Sequence, residues 1–370
     1  MSFIGVLAKL LEVPQIKFAP AKCLKAQFPD YICDKCSKYC PCQAIGAVGQ
    51  IEVDGEKCDA CGLCAGICPG EAFTLEEPSY AQVAVEAREK GKITLTCRKT
   101  QSLGAFTVPC LGYLPEILLM GLVLSCHRVR LLYDARRCAG CSRQSGSLLE
   151  ERLNRIKGLA CGLGRPGVLV LEEDEEEEAI SRGEFFAFLT TRTKALAHRL
   201  PIPGFEEKPR EIRKKALPES REIFLEMLAE VPLKLEPVPV SGKDWPFSQV
   251  QVHDRCDGCG DCALFCPTGA LRVEDRGRGQ ELLHTGAWCL NCGLCLAKCP
   301  RQAISKREVL DLNLMVTGTG IAVKNLEASP CHRCGRPVKV TGNDQERGLC
   351  SLCEQEAGHR LQARKMMLNF

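Results

Sequence analysis

The side chains best equipped for chemistry in this chain are its cysteines, and their spacing is regular. Of 27 cysteines, fifteen fall into four short runs. Three runs read Cys-x2-Cys-x2-Cys-x3-Cys-Pro: Cys58, Cys61, Cys64 and Cys68; Cys256, Cys259, Cys262 and Cys266; Cys289, Cys292, Cys295 and Cys299. The fourth lacks its first member and keeps Cys33, Cys36 and Cys40-Pro41. That spacing wraps thiolates around cubane iron–sulfur clusters, so the chemistry it predicts is one-electron exchange. Cysteines three residues apart suit a metal better than each other, which sets a disulfide framework aside. Inert buried thiols would not explain the repeated Cys-Pro endings.

A chain of 370 residues with 45% apolar side chains has room for two or three domains with real cores. Only 5% of residues are aromatic, as expected where cofactors fill part of the interior. The formal charge of +3 counts every cysteine as neutral. Four cubanes and a four-thiolate zinc, each at about −2, bring it to roughly −7, which gives a nucleic-acid reading no support. Thiolate ligands need a reducing compartment, which predicts the cytoplasm. The longest apolar stretch, Ile117 to Ser125, is far too short to cross a membrane. Residues 1–19 read as a short amphipathic helix rather than a secretory signal.

The runs form an internal repeat, in which residues 20–77 match 250–306 in layout, within modules expected over 20–80 and 246–327. Each half carries two runs joined by a strand-like segment, Gln50 to Val53 in one and Leu271 to Glu274 in the other. An alanine follows each Cys-Pro, and a strand is expected there. Between the halves, residues 81–199 alternate helix and strand: helices at Val83–Lys90, Pro115–Leu124 and Ser147–Ile156, strands at Lys92–Thr96, Val129–Tyr133 and Gly167–Leu171. That alternation predicts a small α/β domain with a mostly parallel sheet. The acidic run Glu172 to Glu178 reads as a solvated loop or helix start, with a partner-binding role the lesser reading. Residues 200–245 hold seven prolines and many charges, a linker with one helix near Ser220 to Glu230. Residues 328–370 carry two knuckles, Cys331-x2-Cys334 and Cys350-x2-Cys353, read as a zinc ribbon followed by a helix. Four cysteines suffice for Zn2+, so His332 and His359 are not needed; a mononuclear iron is the competing occupant. The fold class expected is therefore α+β multidomain, with two two-cluster modules flanking a small α/β domain and a C-terminal zinc ribbon.

Two weaker patterns carry little. Gly162 to Gly167 matches G-x-G-x-x-G but precedes a strand and contains proline, where a nucleotide site needs a helix start. Cys126-His127 has no companion base or orienting acid, so a packed core position is the simpler reading.

The paired runs resemble the two-cluster ferredoxin unit, in which three cysteines of one run and the last of its partner hold the same cluster. Carried over, Cys256, Cys259, Cys262 and Cys299 form one set, and Cys289, Cys292, Cys295 and Cys266 a second. Cys58, Cys61, Cys64 and Cys40 form a third. The fourth has Cys33, Cys36 and Cys68 and an open position. Cys23 is the ligand preferred there, returning across nine residues through a turn at Pro29. Asp30, Cys42 and an empty corner are the alternatives. Cys97, Cys110, Cys138 and Cys141 sit near the strand ends of the central domain, where a 2Fe–2S site and plain buried thiols are equally weighted readings.

With these residues in view, the chain resembles bacterial polyferredoxins of the 4Fe–4S dicluster superfamily. It looks most like the iron–sulfur proteins associated with molybdenum or tungsten formate dehydrogenases, which share the early cysteine, the second unit and the ribbon. The stretch from Cys97 through Pro109-Cys110-Leu111-Gly112 to Cys138-x2-Cys141 is similar to the hydrogenase delta subunit. The resemblance implies four 4Fe–4S clusters and an anaerobic electron carrier without acid–base residues. It also implies redox partners such as formate dehydrogenase or hydrogenase and heterodisulfide-reductase subunits. A rival reading is an accessory or maturation protein whose clusters serve structure or sensing. A nucleic-acid-binding role would rest on the ribbon alone.

Overall fold

The longest apolar stretch of the chain becomes the buried helix of the central region. The computed structural model describes residues 16–46, 51–75, 78–100, 102, 104–133, 138, 141, 146–162, 168–172, 215–229, 238–239, 245–275, 280–311, 314, 318–326, 329–331, 333–334, 337–338, 349 and 353. The expectations for residues 1–15, for 163–167, for the acidic run beyond Glu172, for most of 200–245, for Cys350, His332 and His359, and for the C-terminal helix lie outside the described residues.

Helix α1 (Tyr80–Lys90) opens on a capping box between Ser79 and Gln82 and stops at Gly91, whose φ of 61° is left-handed. Four parallel strands follow, β1 (Lys92–Cys97), β2 (Phe106–Val108), β3 (Arg128–Leu132) and β4 (Leu169–Glu172), in the spatial order β2-β1-β3-β4. Their registers are fixed by pairs such as Leu95↔Leu131 and Val129↔Leu169. Parallel sheets need cover. It comes in part from α2 (Glu116–Ser125), which is buried from Glu116 to Leu124 and so has no face left for water. Glu116 is tolerated there because Arg155 of α3 (Gly146–Gly162) binds both its oxygens at 2.8 Å.

Helix α4 (Glu219–Ala229) packs its buried Phe224 and Met227 against α2 at Gly121, where an added Cβ would meet Met227 Sδ at 3.2 Å. Burying two side chains of that size is worth about 3–6 kcal/mol before entropy. The segment expected as a linker therefore contributes a docked core element; local charge and proline content hid contacts made far along the chain. Two smaller differences have the same origin. Lys17–Phe18 is a strand paired with Phe73–Thr74 rather than the end of a helix, and the three-residue β2 was too short to show a period.

The first cysteine-rich module sits directly on the turn Leu111–Tyr113 that follows β2. An added Cβ at Gly66 would lie 2.3 Å from the Gly112 carbonyl oxygen. Buried Arg152 pins that contact, donating to Gly66 O at 2.9 Å, Gly112 O at 3.1 Å and Leu114 O at 3.2 Å. The second module has its own three-stranded antiparallel sheet, Leu271–Asp275, Gln280–His284 and Ile321–Leu326, plus the pair Val250–Val252 with Ile304–Lys306. A short hairpin, Ser329–Pro330 with Pro337–Val338, carries the first knuckle. Among the described residues no helix is long and apolar enough to cross a membrane.

Candidate metal centres

The three complete runs share one backbone path. A glycine at φ 72–77° (Gly62, Gly260, Gly293) starts each short helix, Leu63–Ile67, Asp261–Phe265 and Leu294–Ala297. Two residues earlier the chain is left-handed again, at Ala60 (52°), Gly258 (76°) and Asn291 (50°). For Ala60 that conformation is costly. Its recurrence at equivalent positions belongs to the loop's task, since two left-handed residues bend it around a centre.

All four Cys-Pro endings, including the one in the incomplete run, repeat a second device. Three residues past the cysteine the backbone is left-handed at Gln43 (50°), Glu71 (49°), Gly269 (74°) and Gln302 (49°). The turn aims amide hydrogens back at sulfur. Ala44 N donates to Cys40 Sγ at 3.2 Å, Ala72 N to Cys68 Sγ at 3.3 Å, Leu271 N to Cys266 Sγ at 3.4 Å and Ala303 N to Cys299 Sγ at 3.3 Å. Such bonds stabilise thiolate and set the potential of anything it ligates.

The fold gathers the thiols across runs. Cys256, Cys259, Cys262 and Cys299 line one cavity, walled by Val252, Leu282, Ile304 and Leu326. Cys40, Cys58, Cys61 and Cys64 line another, with Ile45 and Val53. Burial, and then Cys68, Cys33 and Cys23, push the Cys36 thiol up to about 12; burial pushes Cys68 up to about 11, with Cys23 and Cys33 as its nearest like neighbours. Burial raises Cys292 to about 12, reinforced by Cys289 and Cys266, and those three thiols surround Cys295. Burial likewise raises Cys262 to about 12, with Cys259, Cys256 and Cys299 adding to it. The quartets also lie within electrostatic range of one another. Cys36 is a neighbour of Cys64, Cys262 of Cys295, and Tyr31 stands near Cys292, Cys33 and Cys295.

These environments test whether a cluster fits. Four buried or half-buried thiols converging on an apolar space cannot ionise together without cationic charge among them. An iron core supplies that charge, and the amide donors already face the sulfurs. The donor sets suit the group.

The alternatives for the open position fall elsewhere. Cys42 borders the cavity of Cys40 and Cys58 rather than the set of Cys33, Cys36 and Cys68. Asp30 faces Lys298, with Oδ2 3.8 Å from Nζ. Of the central cysteines, buried Cys110 packs beside Cys61, Leu63 and Leu148, whereas Cys97 bonds Thr100 at 3.0 Å. Among the described residues neither the central cysteines nor the four quartets have three sulfurs within 4.8 Å of one another, the spacing of a single-ion site. Near the C-terminus, Cys331, Cys334 and Cys353 do. Sulfurs bound to one zinc sit about 3.8 Å apart, given Zn–S bonds of about 2.3 Å.

The residues that sequence reasoning missed are Tyr31, Ser220 and Arg221. Tyr31 donates its hydroxyl hydrogen to the carbonyl oxygen of Cys292, and Ser220 donates through N at 3.1 Å, and through its hydroxyl, to Glu71 Oε1. No local pattern announces a partner 149 or 261 residues away.

Comparison with known proteins agrees with this geometry. Residues 255–303 match the 4Fe-4S dicluster domain, and residues 51–74 the 4Fe-4S binding domain. Over 52 residues, 14% of this chain, it is 35% identical to an uncharacterized ferredoxin of Methanocaldococcus jannaschii and covers 68% of it. Pyruvate synthase subunit PorD of the same organism is 30% identical over 60 residues, 16% of this chain and 66% of PorD. One component of the ion-translocating oxidoreductase complex of Methanosarcina acetivorans is 50% identical over 44 residues, 12% of this chain and 17% of that component. Two 4Fe–4S domains built on these loops, and a ferredoxin matched over more than two thirds of its length, place the chain in the ferredoxin family of iron–sulfur electron-transfer proteins.

Proposed function

We propose that this chain carries single electrons between redox proteins, with four cysteine quartets each holding a 4Fe–4S cluster. The sets are Cys23, Cys33, Cys36 and Cys68; Cys40, Cys58, Cys61 and Cys64; Cys266, Cys289, Cys292 and Cys295; Cys256, Cys259, Cys262 and Cys299. Zn2+ on Cys331, Cys334, Cys350 and Cys353 completes the ribbon as a structural or docking element. A bound 4Fe–4S cluster takes up one electron and gives it back. The protein's share is thiolate ligation, exclusion of water and the amide hydrogens aimed at Cys40, Cys68, Cys266 and Cys299. The observation that carries this reading is the meeting of Cys299 with Cys256, Cys259 and Cys262 in one cavity, and of Cys40 with Cys58, Cys61 and Cys64 in another.

The partner is an oxidoreductase. The names of two relatives, one from a pyruvate synthase and one from an ion-translocating oxidoreductase complex, support that class. The resemblance drawn from the runs and the ribbon favours a formate dehydrogenase, with hydrogenase or heterodisulfide-reductase subunits next. Anaerobic iron, sulfide and zinc analysis with EPR of the reduced protein tests the proposal. About sixteen irons per chain are expected, and about eighteen if Cys97, Cys110, Cys138 and Cys141 hold a 2Fe–2S centre. Colourless, iron-free protein after anaerobic purification would end it. Reversible one-electron reduction distinguishes a carrier from an accessory protein with redox-silent clusters.

A further inference from the structure

The contacts between the two modules gather on the ligand loops rather than on open surface. Tyr31, two residues before Cys33, donates to the carbonyl of Cys292, itself a member of a quartet. Beside it Phe28 meets Phe265, next to Cys266, edge to face, with ring centroids 5.7 Å apart. Lys298, next to Cys299, lies 5.8 Å from the Phe265 ring and 3.8 Å from Asp30. A second clamp comes from α4 and the residues before it. Ser220 holds Glu71, three residues past Cys68. The adjacent Arg221 donates to the carbonyls of Ala287, two residues before Cys289, at 3.4 Å, and of Pro246. Lys215 donates to Ala263 O, beside Cys262, at 2.7 Å, and Ala216 N to Pro267 O at 3.4 Å.

The geometry points to a fixed junction at Tyr31 that sets the Cys23/Cys33/Cys36/Cys68 quartet against the Cys266/Cys289/Cys292/Cys295 quartet, so that all four quartets stand in one row. This rests on the reading above that the quartets hold clusters. The remaining two quartets are then the ends of the row: Cys40, Cys58, Cys61 and Cys64, beside Cys110, and Cys256, Cys259, Cys262 and Cys299. Two modules on a loose tether would serve two partners independently. A fixed junction makes them one conductor with one entrance and one exit. Tyr31 acts in it as a positioning residue, because it stands two residues before Cys33 in one inner loop and its hydroxyl bonds the other.

Two measurements on the full-length holoprotein test this. A carbodiimide, which joins carboxylate to amine without a spacer, should link Asp30 to Lys298, detected as a cross-linked peptide pair. The pair Asp254 and Lys324, 3.5 Å apart within the second module, serves as the control. The control link without the Asp30–Lys298 link would overturn the junction, whatever the iron content, so this arm fails separately from the cluster reading. In EPR-monitored potentiometry, Tyr31→Phe should shift the midpoints of two signals, those lost in Cys33→Ser and in Cys292→Ser, and leave the other two in place. A shift confined to one module, or none, would remove Tyr31 from the role.

Discussion

The two ferredoxin modules use the same loops and the same amide-to-sulfur bonds, yet they are embedded differently. The first leans on a foreign surface. Its cluster helix Leu63–Ile67 lies on the backbone of Gly112 and Tyr113, and buried Arg152 ties the contact to α3. The second supplies its own support, a three-stranded sheet with Leu282 and Leu326 in a small separate core. One loop design thus tolerates two foundations, and stability in each module rests on different residues. Perturbations placed at matching positions should therefore have unequal effects.

The largest asymmetry is at the cluster helix. Gly66 has no room for a side chain, with Gly112 O at 2.3 Å and Tyr113 O at 2.5 Å from an added Cβ, and both are main-chain atoms. Gly66→Ala should cost about 3 kcal/mol or more, well beyond its gain in helix propensity of about 1 kcal/mol. Leu264, two residues past the third cysteine in the second module's first run as Gly66 is in its own, is 40% exposed, and Leu264→Ala should cost under about 1 kcal/mol. Denaturant unfolding of both variants checks this. Equal losses would mean that the first module does not depend on the turn Leu111–Tyr113.

How much of this was readable beforehand follows from the range of the interactions. The cysteine spacing gave the loops, because ligation imposes a local pattern. The apolar run at α2 gave a buried helix, because a helix covered on every side needs no polar face. Cross-run pairing came from the resemblance to the two-cluster ferredoxin unit. What stayed hidden was long-range and polar. Ser220 and Arg221 sit among prolines and charges that suggest a tether, yet both are 3% exposed and serve Glu71 and Ala287. Tyr31 looks like any residue near a turn until its partner across the molecule is known.

The second module should also carry an acid sensitivity that the first lacks. His284 is buried and its imidazole is pushed down to about 4, chiefly by burial and then by Arg272 and Arg307. A histidine held neutral in the fold favours the native state at higher pH. That stability is lost as pH falls from about 6.5 toward about 4, by at most about 3 kcal/mol. Trp288 lies in this module, with the Arg272 guanidinium 5.1 Å from its ring centroid, so its fluorescence reports the unfolding. His284→Leu should flatten the pH dependence over that window. A variant with the same slope as the parent would place the sensitivity elsewhere.

The smallest expected difference compares Glu71 with Gln302, which occupy the same left-handed position after their Cys-Pro endings. Burial raises the Glu71 carboxyl, while the hydrogen bonds from Ser220 pull it back down. A raised carboxylate is the reverse of the histidine case. Its contribution is whole below the ordinary glutamate value and diminishes as pH rises through the folded one. Glu71→Gln gives the first module the residue found in the second and keeps an oxygen for Ser220. It should leave stability at pH 4 nearly unchanged and raise it at pH 7 by under about 1 kcal/mol. A loss at pH 7 would mean that the ionised carboxylate, facing the start of α4, strengthens the bridge between the modules more than its burial costs.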